Sequence, residues 1–487
     1  MSAQSVHDQL PRAYSIDEAA LVKRRVAAAR GSASTPRTVS ALCEEFGPVC
    51  ESAVDPLEIA SALEFDGMSD QAAKARYGFP DVFALAQDMY FRVPRRPAEP
   101  ELPADPWQVS RFRPALHGLL YGIPAVCFPA AAGLLAGPGV LIALIVALLV
   151  AWSLSQGLAY LGFLRLGQTD AGQARRLLRA GLAAGLTVEL LAMAATRVLV
   201  HTPMTVLWFG AGEGAYMLGA CVLMVLGVEL WLLVALIPGV LGSTAFLFLG
   251  RPPHLEHVVW GALGATPVLA LVLAVICTRR TGPPAGRLVT AAELRGAGPA
   301  AAFGLAAAGL LTFPAAAGLH GHGGVNYGAL LATLPLSLSM GAAEWSLLWY
   351  RRRTQRLLRD TRDYRRFAVR ARLVLMAAAA QYVAAAAALI AASCIIVNAT
   401  GVIPLSWSDL PQLGAYLVLG LAMFLALTVQ ALGLRTFTLA ACFLALAGEI
   451  MFRDLGVRVQ LMACGALLLA IGGYAAIELG KAVRHGY

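Results

Sequence analysis

From Leu116 onward, apolar stretches of about twenty residues follow one another with short gaps, and a helix of that length crosses about 30 Å of hydrocarbon. The runs fall at 116–136, 138–161, 180–200, 204–227, 229–249, 258–278, 300–319, 327–350, 373–397, 412–432, 434–452 and 459–480. A backbone in lipid must satisfy its polar groups internally, which leaves helices as the solution for runs of this length. The expected fold class is therefore all-α: a polytopic membrane protein of about twelve transmembrane helices, preceded by a small helical cytoplasmic domain. Composition points the same way. With 58% of its 487 residues apolar, 14% charged and a mean hydropathy of +0.67, the chain is excluded from the soluble globular class.

Charge fixes the expected orientation. The stretch 204–249 reads either as one bent helix or as a tight hairpin of two, and the hairpin places 23 basic residues on one face against Arg251, Arg453 and Arg458 on the other. One bent helix would swap every basic loop beyond residue 250, so the hairpin is favoured, with both termini cytoplasmic in the plasma membrane. The opposite balance marks residues 1–105, which carry 11 Lys and Arg against 16 Asp and Glu. No basic stub precedes a short apolar run, and no cleavable signal peptide is expected.

The head reads as short helices. Ser15-Ile-Asp-Glu18 is a capping box, Asp55-Pro56 opens a helix through Phe65, Ser69 starts another, and a fourth surrounds Val82 to Tyr90. Its acidity argues against nucleic acid, although residues 66–73 faintly resemble a helix-turn-helix. The expected boundaries are a helical accessory domain at 1–93, a Pro-rich linker at 94–110, a first six-helix lobe at 111–278, a cytoplasmic connection at 279–299 and a second lobe at 300–487. Two lobes follow from a repeat. Trp152-Ser153-Leu154 and Trp345-Ser346-Leu347 lie 193 residues apart, as do Arg179 and Arg372, and each pair occupies the equivalent place in a six-plus-six arrangement.

The end of the second run carries a further pattern: Ser155-Gln156, then Leu166-Gly167-Gln168-Thr169-Asp170, then Ala174-Arg175-Arg176-Leu177-Leu178-Arg179-Ala180-Gly181. This order resembles the loop between the second and third helices of the multidrug, oligosaccharidyl-lipid and polysaccharide flippase superfamily. The resemblance covers residues 110 to 482. It implies a transporter that flips a lipid-linked oligosaccharide or polysaccharide precursor by rocking two lobes, with an undecaprenyl-type carrier. Related alternatives are a cation-coupled drug or metabolite antiporter, or a scaffold whose head recruits an envelope-biosynthesis protein.

Enzyme signatures are missing: GxxxxGK[ST], DxD, HExxH and GxSxG do not occur, and neither an enzyme nor a cofactor is expected. The cysteines have no metal spacing and read as small hydrophobes. His320-Gly-His322 reads as a flexible turn, and Gly210-Ala-Gly212-Glu-Gly214 as a close helix contact. The informative residues are ionisable groups at membrane depth, because a charge in hydrocarbon normally faces a cavity or a partner. Glu189, Arg197 and Glu213 are the expected cavity charges, the first two about 80° apart on one helix. Glu344 joins them as a cavity candidate, and the repeat sets Gln381 and Tyr382 opposite Glu189 as uncharged cavity groups. Glu229, Glu344, Glu449 and Glu478 lie near span ends and read as interfacial. Ten arginines between Arg351 and Arg372 read as an anchor on membrane lipids or as an amphipathic helix with Leu357, Leu358, Tyr364 and Phe367. Arg175, Arg176, Arg179, Arg365, Arg366 and Arg372 are the candidate lipid-headgroup contacts.

Overall fold

The computed structural model describes residues 38–94, 112–132, 139–168, 170–279, 288–317, 327–361, 363–400 and 409–485. The chain divides into two compact units, residues 1–108 and 109–487. Among the described residues every regular element is helical.

In the first unit five helices, α1 (Val39–Glu45), α2 (Gly47–Ser52), α3 (Pro56–Phe65), α4 (Asp70–Tyr77) and α5 (Val82–Arg92), enclose Leu42, Ile59, Leu63, Leu85 and Met89. Side chains satisfy the leading N–H groups: Asp55 accepts from Leu57 at 2.9 Å, Ser69 from Ala72 at 3.3 Å and Asp81 from Ala84 at 2.7 Å. Gly78, at φ +78°, ends α4 in the left-handed conformation that lacks a Cβ penalty. The Tyr90 hydroxyl donates to the Val54 carbonyl at 2.8 Å and ties α5 to the loop before α3. Burial pushes the Cys50 thiol up to about 11, so it packs as a hydrophobe rather than reacting. Sequence periodicity placed α3 to α5. It missed α1 and α2, which are too short to display a period. The Ser15–Glu18 capping box lies outside the described residues.

The second unit begins with α6 (Phe112–Gly122), a 3-10 turn over Ile123–Val126 and α7 (Cys127–Ala132). It continues through α8 (Val140–Gly167), α9 (Ala171–Val200), α10 (Met204–Val225), α11 (Glu229–Phe248), α12 (Glu256–Cys277) and α13 (Ala291–Ala317). The last five are α14 (Tyr327–Asp360), α15 (Tyr364–Thr400), α16 (Leu410–Gln430), α17 (Thr436–Met451) and α18 (Val457–Glu478). Among the described residues nine of these helices are long and apolar enough to cross a membrane. The other predicted spans are helical but differ in kind. The first is broken at Pro124, α14 is diluted by Thr333, Ser337, Ser339, Glu344 and Ser346, and α17 is shorter than its neighbours. The stretch 204–249 is a hairpin of two helices, turned at Gly227 with φ +70°.

Helix starts differ from the hydropathy boundaries. α9 begins at Ala171 because Asp170 accepts from the Gln173 N–H at 2.8 Å, so Arg175, Arg176 and Arg179 ride on its first turns rather than in a loop. α13 begins at Ala291 on a reciprocal cap between Thr290 and Glu293. The segment Arg351–Arg372 is not an independent amphipathic helix. It comprises the end of α14 and the start of α15, because Arg, Leu and Gln favour continuing the helix and Asp363 caps the new one by accepting from Arg365.

Neighbour relations repeat along the chain. Aligning α6–α7 with α13, α8 with α14, α9 with α15, α10 with α16, α11 with α17 and α12 with α18 carries one set of packed pairs onto another. Thus α8·α9 corresponds to α14·α15, α8·α10 to α14·α16, α10·α12 to α16·α18, α11·α12 to α17·α18, and α7·α11 to α13·α17. Among the described residues the sets are joined most closely at α8·α13 and α6·α14, and the alignment exchanges one for the other. Glycine makes both crossings close. A Cβ on Gly304 of α13 would stand 3.0 Å from the Trp152 carbonyl oxygen of α8, and one on Gly118 of α6 would stand 2.8 Å from the Leu338 carbonyl oxygen of α14.

Candidate functional site

The α6·α14 crossing carries a chain of charges. Arg113 and His117 sit one turn apart on α6, Glu229 opens α11 and Glu344 lies one turn beyond Gly341 on α14. The Arg113 guanidinium donates to Glu229 Oε1 from Nη2 at 2.6 Å and from Nε at 3.0 Å. The same oxygen lies 3.2 Å from His117 Nε2, and His117 Nδ1 lies 2.5 Å from Glu344 Oε2. An ionised carboxylate can only accept, so two of them facing both ring nitrogens favour the doubly protonated imidazolium. Cation, anion, cation and anion thus alternate from Arg113 to Glu344. Beside them a groove of about 440 Å³ is lined by Ala115, Gly118, Leu338, Gly341, Ala342 and Ala385.

The α8·α13 crossing carries a simpler pair. Arg165 Nη2 donates to Glu293 Oε2 at 2.8 Å and to the Leu288 carbonyl at 3.2 Å, while Ser153 Oγ donates to the Ala301 carbonyl at 3.0 Å. The repeated Trp-Ser-Leu element therefore lies, in its first copy, on this crossing. Nearby, the Arg435 guanidinium stacks 4.7 Å from the Tyr160 ring.

The predicted acids separate into groups. Glu189 on α9 is fully buried against Gly214 of α10, and among the described residues neither of its oxygens has a hydrogen-bond partner. Glu213, beside Gly214, has one buried oxygen in the same condition. The glycine-rich turn of α10 makes this approach possible, since a Cβ at 214 would occupy the Glu189 side chain's place. Arg197 does not join them. It is exposed at the end of α9 and donates to the Thr202 carbonyl at 2.6 Å, because two turns of helix carry it about 12 Å along the axis from Glu189.

Tyr382 is 2% exposed, stacked on Phe424 at 5.1 Å between ring centroids, with its hydroxyl 3.0 Å from Ser339 Oγ. It is a packing residue rather than an open cavity group, and Gln381 beside it is half-buried. The repeat relation survives in the packing. As Glu189 lies on Gly214, Tyr382 lies on Gly420, whose Cβ would stand 2.5 Å from its hydroxyl. Two glutamates read as interfacial are buried instead: Glu229 within the charge chain, and Glu449 at 0% exposure with the Cys464 thiol 3.7 Å away.

Among the candidate headgroup residues, Arg179, Arg365, Arg366 and Arg372 are exposed, and Arg372 also donates to the Ala476 carbonyl at 2.9 Å. Arg175 and Arg176 are half-buried. His320 and His322 lie outside the described residues. Among the described residues no group of three or more His, Cys, Asp or Glu is placed to hold a metal ion. Arg113 and His117 were not among the site candidates, and Glu229 was read only as interfacial. The available signal was His117, an ionisable side chain in the first apolar run, but its partners are 112 and 227 residues away in the chain.

The chain matches no protein-family model, no curated protein and no solved structure.

Proposed function

We propose that this membrane protein is a transporter built of two six-helix lobes and twelve spans, which moves a lipid-linked oligosaccharide or polysaccharide precursor across the plasma membrane by alternating access. One observation carries the reading: the repeated neighbour pattern, whose two copies meet at α8·α13 and α6·α14. Lobes that rock must part at such crossings, and small residues with polar closures suit surfaces that separate and re-form. The substrate class rests on the flippase resemblance and on the groove beside the charge chain. The arginines at the junction of α14 and α15 would receive the diphosphate headgroup. Glu189, buried with neither oxygen hydrogen-bonded among the described residues, and Glu213, with one buried oxygen in the same condition, favour a second reading in the same architecture, a cation-coupled antiporter.

In vesicles carrying the purified protein and a fluorescent lipid-linked oligosaccharide, the labelled lipid should move between leaflets. Glu344→Gln should reduce that movement to the rate of protein-free vesicles while the protein remains inserted. Unchanged lipid movement with and without protein, alongside cation-driven export of small solutes, would replace the flippase with the antiporter. Binding of an envelope-biosynthesis protein to the head with no transport at all would leave the scaffold.

Orientation follows from the charge asymmetry. A cysteine replacing exposed His254 should react with an impermeant reagent added outside intact cells, and one replacing exposed Arg359 only after the membrane is opened. Reaction at position 359 in sealed cells would invert the topology.

A further inference from the structure

The charge chain spans the two halves of the repeat, because Arg113, His117 and Glu229 lie on α6 and α11 while Glu344 lies on α14. His117 is the joint. Gly118 and Gly341 bring the backbones close enough for its ring to reach both carboxylates, and no bulkier residue fits at either position. The groups facing the ring are Glu229 on α11 and Glu344 on α14; Arg113 on α6 shares the Glu229 oxygen, Tyr121 on α6 is the further titratable group near Glu344, and the groove residues of α15, Ala385, Ala388 and Leu389, add no charge.

We infer that His117, held between Glu229 and Glu344, is a proton-binding site that latches the two halves at the α6·α14 crossing. With the imidazolium in place the four side chains sum to zero. Loss of one proton leaves one guanidinium against two carboxylates from different halves, with a neutral ring between them and one ring lone pair facing a carboxylate oxygen. Across the crossing the balance falls from +1 against −1 to 0 against −1, so the attraction that closes it is lost and the halves separate there. The other crossing lacks this switch, since Arg165 keeps its charge at every physiological pH and holds Glu293 throughout. Opening is therefore one-sided: α6·α14 yields to a proton while α8·α13 stays closed. The inference deepens the transporter reading and rests on it for its purpose, but the latch is measurable without transport.

The experiment uses the full chain in lipid, with native cysteines replaced and spin labels at exposed Leu230 on α11 and exposed Tyr364 on α15. The distance between labels is read by pulsed electron resonance from about pH 5 to about pH 11, a range that covers the ordinary imidazole titration and reaches well past it on the alkaline side. The unmutated latch should show one short population at the acid end and a growing longer one as pH rises, following a single-proton curve. His117→Arg, with a permanent cation, should hold the short population throughout, and His117→Gln should show the longer one at every pH. If the Arg variant does not insert, Glu229→Gln with Glu344→Gln serves, since removing both anions should abolish the pH response. A pH-independent distance in the parent, or a His117→Arg response equal to it, overturns the latch. A pH-dependent distance in vesicles that move no lipid and no solute keeps the latch and removes the transporter.

Discussion

Gly341→Val should leave almost no correctly assembled protein. A Cβ at 341 overlaps the Pro114 carbonyl oxygen and stands 2.9 Å from the Gly118 Cα, so relief requires two helix backbones to move rather than a side chain to turn. Substitutions of this kind fall in the tail of the distribution, above about 4 kcal/mol. Gly414→Val is the paired control on volume: its Cβ meets nothing within 4 Å, and its effect should stay within about 1 kcal/mol, set by helix propensity. The measurement is the monodisperse yield and thermal midpoint of detergent-purified protein. Equal behaviour of the two variants would mean that α6 and α14 do not cross as closely as described.

Glu189→Met should move stability and function in opposite directions. A buried polar group without a hydrogen-bond partner costs about 1–3 kcal/mol, and methionine has a similar length without that cost, so the thermal midpoint should rise by several degrees. Movement of the substrate should be lost, because nothing structural accounts for retaining an unpaired acid against Gly214. A structural role would give the reverse, a lower midpoint with transport preserved. Glu189→Gln separates charge from shape: transport lost with the amide assigns the role to the carboxyl itself.

Much of the architecture was legible because the bilayer imposes a length on apolar runs, and nine of the twelve runs coincide, among the described residues, with helices long and apolar enough to cross a membrane. The basic residues placed the hairpin at 204–249, and the structure turns it at Gly227. Helix starts were not legible from hydropathy, since Arg175 or Arg365 is as good a helix former as Leu and only caps such as Asp170 and Asp363 set where the helix begins. The site was half legible. Glu189 and Glu213 announce themselves by charge in an apolar run, whereas Glu229 lies at a run's edge and gains meaning only through His117 and Arg113 on another helix. Arg197 misled for a related reason. Angular proximity on a helical wheel ignores the rise along the axis, and a local carbonyl was nearer than the acid.

The two crossings differ in a way that bears on how such a chain could have arisen. On the two-lobe reading, α6·α14 and α8·α13 are one ancestral surface used twice, as in a symmetric pair of identical six-helix chains. Identical subunits must present the same residues at both copies of their interface, and any titratable joint would appear twice and release both sides together. Fusion into one polypeptide lifts that constraint. One copy can keep a permanent guanidinium at Arg165 while the other acquires an imidazole at His117, and what was a symmetric clamp becomes a hinge with a designated opening side.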